Sequence, residues 1–161
     1  MELFIVRHAI AEDRRPGGED DTRALSGIGR RRFKTCVRGM RRLGVRIDRL
    51  YHSPLLRAVQ TADLMAKLVR DETVVTPLLA RAPGSELLEA LQGERVAVVG
   101  HEPWMSELVQ LLLVGIDGPR ISMAFDKGGM AWLRGEAAPG GMALLGYYDS
   151  RALRTMGRRK K

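Results

Sequence analysis

The chain has 161 residues, 45% of them apolar and 29% charged, which fits one globular domain with its own core and excludes a disordered chain. Cys36 is the single cysteine, so no intrachain disulfide can staple the fold. Lysine and arginine outnumber aspartate and glutamate by 27 to 19, and the net charge of +8 favours anionic partners. Only 5% of residues are aromatic and no nucleic-acid-binding motif is visible, so nucleic acid is not the expected partner. No apolar run approaches the roughly 20 residues of a membrane span, and the run Leu3 to Val6 is too short for a signal peptide. A cytoplasmic protein is the expectation.

Residues 2–6 (Glu-Leu-Phe-Ile-Val) predict a buried, parallel strand, because both faces are apolar. Residues 11–23 follow as a polar loop with Pro16-Gly17-Gly18, and its Glu19-Asp20-Asp21 cluster reads as solvated. Ser26 is the expected N-cap of a helix whose stripe is Phe33, Val37, Met40 and Leu43, with Gly44 past its end. A second strand is expected over 47–52. Ser53-Pro54 then has N-cap and N1 chemistry for a helix carrying Leu55, Ala58, Ala62, Met65 and Val69. Another strand is expected over 73–76, a short helix over 85–91 and a buried strand over 95–100. Pro103 opens a helix bearing Met105, Leu108, Val109 and Leu112. Residues 130–133 and 142–148 predict a closing hairpin, an antiparallel edge.

The alternation of strand and helix predicts an α/β three-layer sandwich with a mostly parallel central sheet. Residues 1–155 are expected as a single domain and 156–161 as a basic C-terminal tail. Arg30-Arg31-Arg32 reads as a solvated helix face.

Chemistry collects at the strand ends. Arg7 and His8 follow the first strand, Arg57 lies in the first helical turn after the second, and His101 follows the fourth. Open α/β sheets bind ligands beyond the carboxyl ends of their strands, and two helix N-termini would add positive dipole ends there. Two arginines and two histidines in such a place suit a phosphoryl group held by planar guanidinium forks. Each alone has a bland reading: a histidine after a strand is a turn or core residue, and an arginine at a helix start is a surface residue. His52 reads as a packing or rim residue. No spacing resembles a metal site, no G-x-S-x-G elbow or P-loop occurs, and no cofactor is expected.

The segments Phe4-Ile-Val-Arg-His-Ala9, Leu25-Ser-Gly-Ile-Gly29, Ser53-Pro-Leu-Leu-Arg-Ala-Val-Gln-Thr-Ala62 and Val98-Val-Gly-His-Glu-Pro103 resemble the histidine phosphatase superfamily, of phosphoglycerate mutase-like fold. In detail they are most similar to its SixA-type phosphohistidine phosphatases, including the alanine at position 9. The resemblance implies that His8 accepts the phosphoryl group and that Arg7, Arg57 and His101 complete the phosphate pocket. It also implies that water then hydrolyses phospho-His8, with no metal. The neighbouring arginine charges should hold His8 neutral. A general acid is harder to assign: Glu86 is the candidate, with Glu12, Asp13 and Glu102 behind it, and a first-turn helix carboxylate is the bland reading of Glu86.

The function implied is dephosphorylation of phosphohistidine on a protein, such as a histidine phosphotransfer domain. The alternatives are a phosphomonoesterase for a small phosphorylated metabolite and a phosphate-binding module without turnover. The basic surface would favour an acidic phosphoprotein.

Overall fold

Burial of both faces of the first strand sets the architecture. In β1 (Glu2–Arg7) the side chains of Leu3 and Ile5 enter one apolar cluster, and those of Phe4 and Val6 enter another. A strand that buries both faces must lie inside a sheet covered on both sides. The computed structural model describes all residues except 15, 16, 18, 124 and 159–161.

The elements run β1, α1 (Gly27–Arg42), β2 (Ile47–His52), α2 (Leu56–Met65), β3 (Val69–Val75), α3 (Ser85–Ala90), β4 (Arg95–Gly100), α4 (Trp104–Val114), β5 (Met130–Gly135), β6 (Met142–Tyr148) and α5 (Ser150–Gly157). One six-stranded sheet has the order β3-β2-β4-β1-β5-β6. The strands β1 to β4 pair in parallel, and β5 pairs antiparallel with both β1 and β6. Helices α1, α2 and α5 cover the Phe4 face, and α3 and α4 cover the Ile5 face. The expected three-layer α/β sandwich with an antiparallel hairpin is therefore present. Among the described residues no helix is long and apolar enough to cross a membrane.

Local signals account for α1. Ser26 caps it, its hydroxyl accepting from the Gly29 amide at 3.0 Å. At Gly29 a Cβ would lie 1.9 Å from the Ile10 carbonyl, so only glycine lets the helix start against the loop after β1. Gly44, at φ +83°, turns the chain out of the helix.

Three expectations need correction. The stripe read as helical over 55–69 ends at Met65, and a 3-10 turn, Ala66–Leu68, follows. Val69 opens β3 instead, because it pairs with Ile47, so this strand starts well before residue 73. The expected basic tail is in part a helix: Met156 and Gly157 belong to α5, and residues 159–161 lie outside the described residues. Asp149 caps α5, accepting from the Ala152 amide at 2.6 Å. The Pro16-Gly17-Gly18 turn also falls mostly outside the described residues.

Candidate active site

The parallel register aligns three strand ends. Arg7 stands opposite Gly100, and His52 opposite Val99, so the residues that follow emerge side by side. The His8 amide donates to the Gly100 carbonyl and the Ser53 amide to the Val99 carbonyl, each at 3.0 Å. The rings of His8 and His101 lie 5.0 Å apart. Helix α2 begins beside them and carries Arg57 in its first turn. The structure thus brings Arg7, His8, Arg57 and His101 to one end of the sheet.

Ser53 does not cap α2. Leu55 occupies the cap position, and the Ser53 hydroxyl lies 2.8 Å from His101 Nε2 while accepting from the Leu55 amide at 3.3 Å. The Leu56 amide donates to the Asp21 carbonyl at 2.9 Å. The helix thus starts two residues later than Ser53-Pro54 predicts, and the Ser53 hydroxyl serves His101 and the Leu55 amide at once.

Each site residue is tied to the scaffold at one end. Arg7 Nη1 donates to the Phe125 carbonyl at 2.5 Å. Arg57, only 5% exposed, donates through Nη1 to the Asp20 carbonyl and through Nη2 to Asp20 Oδ2, both at 2.8 Å. Among the described residues, Arg7 Nε, Arg57 Nε and His101 Nδ1 are buried without a hydrogen-bond partner. Three orphaned nitrogens in one cluster need an anion or another acceptor to satisfy them.

His8 is held differently. Its Nδ1 lies 2.7 Å from the Ala9 carbonyl, which can only accept, so the ring proton sits on Nδ1 and Nε2 keeps a free lone pair. Burial is the largest influence on this ring and lowers its pKa from 6.5 to about 3, with His101, Arg57 and Arg7 adding to the effect against the Ala9 contact. Desolvation therefore outranks the arginine charges as the reason His8 is neutral. His101 falls to about 4, again chiefly by burial, then by Arg57. Desolvation also lowers the pKa of Arg57.

Sequence patterning missed the residues that support this cluster. Asp20, read as part of a solvated loop, is the carboxylate partner of both Arg57 and Arg23. Desolvation raises the Asp20 pKa, but the two guanidiniums outweigh it and hold the carboxyl below its ordinary value. Thr61 donates from Oγ1 to the Arg57 carbonyl at 2.6 Å and accepts from the Ala9 amide at 3.1 Å, tying α2 to the loop after His8. The only local clue was an arginine placed against the helix dipole.

The candidate acids are each exposed or hydrogen-bonded to a neighbour. Glu86 is exposed in the first turn of α3, pairs with Arg81 and lines a cavity with Leu78, Ala82 and Leu87. Glu12 and Asp13 are exposed. Glu102 follows His101, but its carboxylate accepts from the Ser106 amide at 3.1 Å and the Ser106 hydroxyl at 2.6 Å. His52 is buried, with Nδ1 2.9 Å from the Ser53 carbonyl. Among the described residues no group of three or more His, Cys, Asp or Glu side chains could hold a metal ion.

Residues 3–81 match the family model of the histidine phosphatase superfamily, branch 1, a span that holds Arg7, His8 and Arg57 but not His101. An uncharacterised protein of Picosynechococcus is 33% identical over 146 residues, covering 86% of this chain and 87% of its own length. The mitochondrial serine/threonine-protein phosphatase PGAM5 of Mus musculus is 28% identical over 76% of this chain, which spans only 38% of that protein. The solved structure of the protein histidine phosphatase SixA with tungstate superposes at a TM-score of 0.74, with 23% identity over 95% of this chain and 99% of that one. Motif order, fold and relatives agree: this chain belongs to the histidine phosphatase superfamily.

Proposed function

We propose that the chain removes the phosphoryl group from phosphohistidine on a protein, through a covalent intermediate on His8 and without a metal. The observation that carries this reading is the state of His8: a neutral imidazole with its proton on Nδ1 and a free lone pair on Nε2, among two arginines and a second histidine. His8 Nε2 attacks phosphorus, the substrate P–N bond breaks, and its electron pair returns to an imidazole that carries a proton on its other ring nitrogen and so departs neutral. Arg7 Nε, Arg57 Nε and His101 Nδ1 are the donors available to the phosphoryl oxygens as charge develops. Water then attacks the phosphorus of phospho-His8; the P–N pair returns to Nε2 and the water proton leaves with phosphate or solvent.

The substrate class follows from the leaving group. A departing alkoxide needs a proton in the transition state, whereas imidazole, with a reference pKa of about 6.5, leaves with little help near neutral pH. Asp20 is held ionised by Arg57 and Arg23, Glu102 is engaged by Ser106, and Glu86 pairs with Arg81. Such a set of carboxylates suits phosphohistidine better than an alkyl ester. Two of the similar proteins, PGAM5 and SixA, are protein phosphatases, which favours a protein substrate. A phosphoserine phosphatase and a glucosyl-3-phosphoglycerate phosphatase share the fold and make a small phosphorylated metabolite the alternative.

The test compares kcat/KM on a phosphohistidine protein and on a simple alkyl phosphate, for wild type and for Glu86→Gln. Phosphohistidine should be the better substrate by a wide margin, with Glu86→Gln within about twofold of wild type on it. His8→Ala should lose turnover and fail to become labelled, yet still bind inorganic phosphate. Equal rates on both substrates, or turnover by His8→Ala, would overturn the reading.

A further inference from the structure

The positive charge of this chain is segregated. Helix α1 carries seven lysines and arginines and no carboxylate, and Arg151, Arg154 and Arg158 lie in or next to α5, which packs against it. These ten cations exceed the net charge of +8, so the rest of the molecule is slightly acidic on balance. On the opposite side of the sheet, α3 and α4 carry Glu86, Glu89 and Glu107 and no lysine or arginine. Among the described residues, no ion pair involves a cation of α1 or α5. Arg38 and Arg42 are committed to carbonyls at the end of α5. Arg31, Lys34 and Arg41 are exposed at helical spacing and have no such employment. A row of like charges three and four residues apart strains an isolated helix, so its persistence without partners points to an external anion.

The stripe begins at the candidate active site. The Ser26 amide donates to the Ile10 carbonyl, two residues beyond His8, and Gly29 packs on that same carbonyl. The 16 residues of α1 then carry the charge away from the rim for about 24 Å, at 1.5 Å per residue. We infer that the exposed cationic face of α1 and α5 is the docking surface for the protein substrate, which presents an acidic face beside its phosphohistidine. This rests on the proposed protein phosphohistidine phosphatase activity. The face suits neither of the other polyanionic partners. Its aromatic residue, Phe33, is buried, so no stacking platform serves single-stranded nucleic acid. Apart from Ile28, which is half exposed, the apolar side of α1 is committed to the core, and one side chain is too little to anchor a helix in a lipid surface.

The test uses the full chain with Arg31→Glu, Lys34→Glu and Arg41→Glu combined, after checking that it melts with wild type. The probes are a small acidic protein phosphorylated on one histidine and free phosphohistidine. On the phosphoprotein, kcat/KM should fall about tenfold or more in the variant, and the steep salt dependence of wild type should flatten. On free phosphohistidine the two should agree within about twofold, because no contact to the pocket is lost. Equal losses on both probes, or no loss on the phosphoprotein, would overturn the inference. Tighter binding of wild type to duplex DNA than to the phosphoprotein, at the same salt, would overturn it in favour of nucleic acid. Binding of His8→Ala to the phosphoprotein separates the two claims. Charge-dependent binding without wild-type turnover keeps the docking face and rejects the proposed substrate bond. Absence of binding rejects the docking face.

Discussion

Ser53→Ala isolates the residue that links two strand ends. Ser53 is fully buried, and its amide bond to the Val99 carbonyl does not need the hydroxyl, so the sheet should survive the change. The hydroxyl lies 2.8 Å from His101 Nε2 and accepts weakly from the Leu55 amide at 3.3 Å. With the serine proton donated to Nε2, His101 keeps its own hydrogen on Nδ1, the nitrogen that has no partner. Since the pKa of His101 is lowered to about 4, the ring is neutral near pH 7, and the position of its hydrogen decides whether Nδ1 can donate. Removing the hydroxyl leaves a buried nitrogen unpaired, a cost of about 1–3 kcal/mol in stability. It also frees the imidazole to take the other tautomer. Losing a whole oxyanion donor costs about 2.7–4 kcal/mol, so losing its orientation should cost less, about 1.4–2.8 kcal/mol. That is a fall of about 10- to 100-fold in kcat/KM. The assay is kcat/KM on phosphohistidine in wild type, Ser53→Ala, His101→Ala and the double variant. In the His101→Ala background Ser53→Ala should cost almost nothing more. Fully additive losses would refute the idea that Ser53 acts through His101.

Arg57→Ala should lower kcat/KM by about 2–4 kcal/mol of transition-state stabilisation, and Asp20→Asn by less, because the Asp20 carbonyl still holds Nη1; reversal of that order in kinetics would remove Asp20 from its supporting role. Stability should fall as pH drops from 6.5 towards 5, because His8 and His101 have folded pKa values of about 3 and about 4 and the unfolded chain takes up protons that the folded one refuses. Each group contributes a slope of about 1.4 kcal/mol per pH unit, so urea midpoints should decline over this window and His8→Ala should flatten the decline. Turnover should persist in a metal chelator; loss in chelator with recovery on adding one divalent ion would refute the metal-free route. Gly39→Ala should destabilise the fold by about 1–3 kcal/mol, read from its melting curve, since a Cβ there would lie 2.1 Å from the Leu153 carbonyl and force α1 and α5 apart.

Most elements, and the gathering of Arg7, His8, Arg57 and His101 at one end of the sheet, were legible because their signals are local. A continuous apolar run in residues 3–6 marks a strand buried on both faces, Ser26 marks a helix start, and chemistry placed directly after strands marks the ligand end of an α/β sheet. Helix α5 was not read from the sequence although Asp149 offers a local cap, and its place depends on Gly39 and Gly157, where the two helices approach too closely for any Cβ. Other features had no local signature at all. The Ser53 hydroxyl is bonded to His101, 48 residues away, which no capping pattern reveals. The partner of Arg57 is Asp20, 37 residues earlier, in a loop whose composition reads only as solvated. The neutrality of His8 comes first from burial, a property of the packed surroundings and not of neighbouring letters. Periodicity and capping report what a segment does with its own backbone, so the sequence alone determined the layers and which residues reach the strand ends. Long-range hydrogen bonds, ion pairs and desolvation arise between segments that meet only after folding, so the tertiary structure alone decided how those residues are held, paired and protonated.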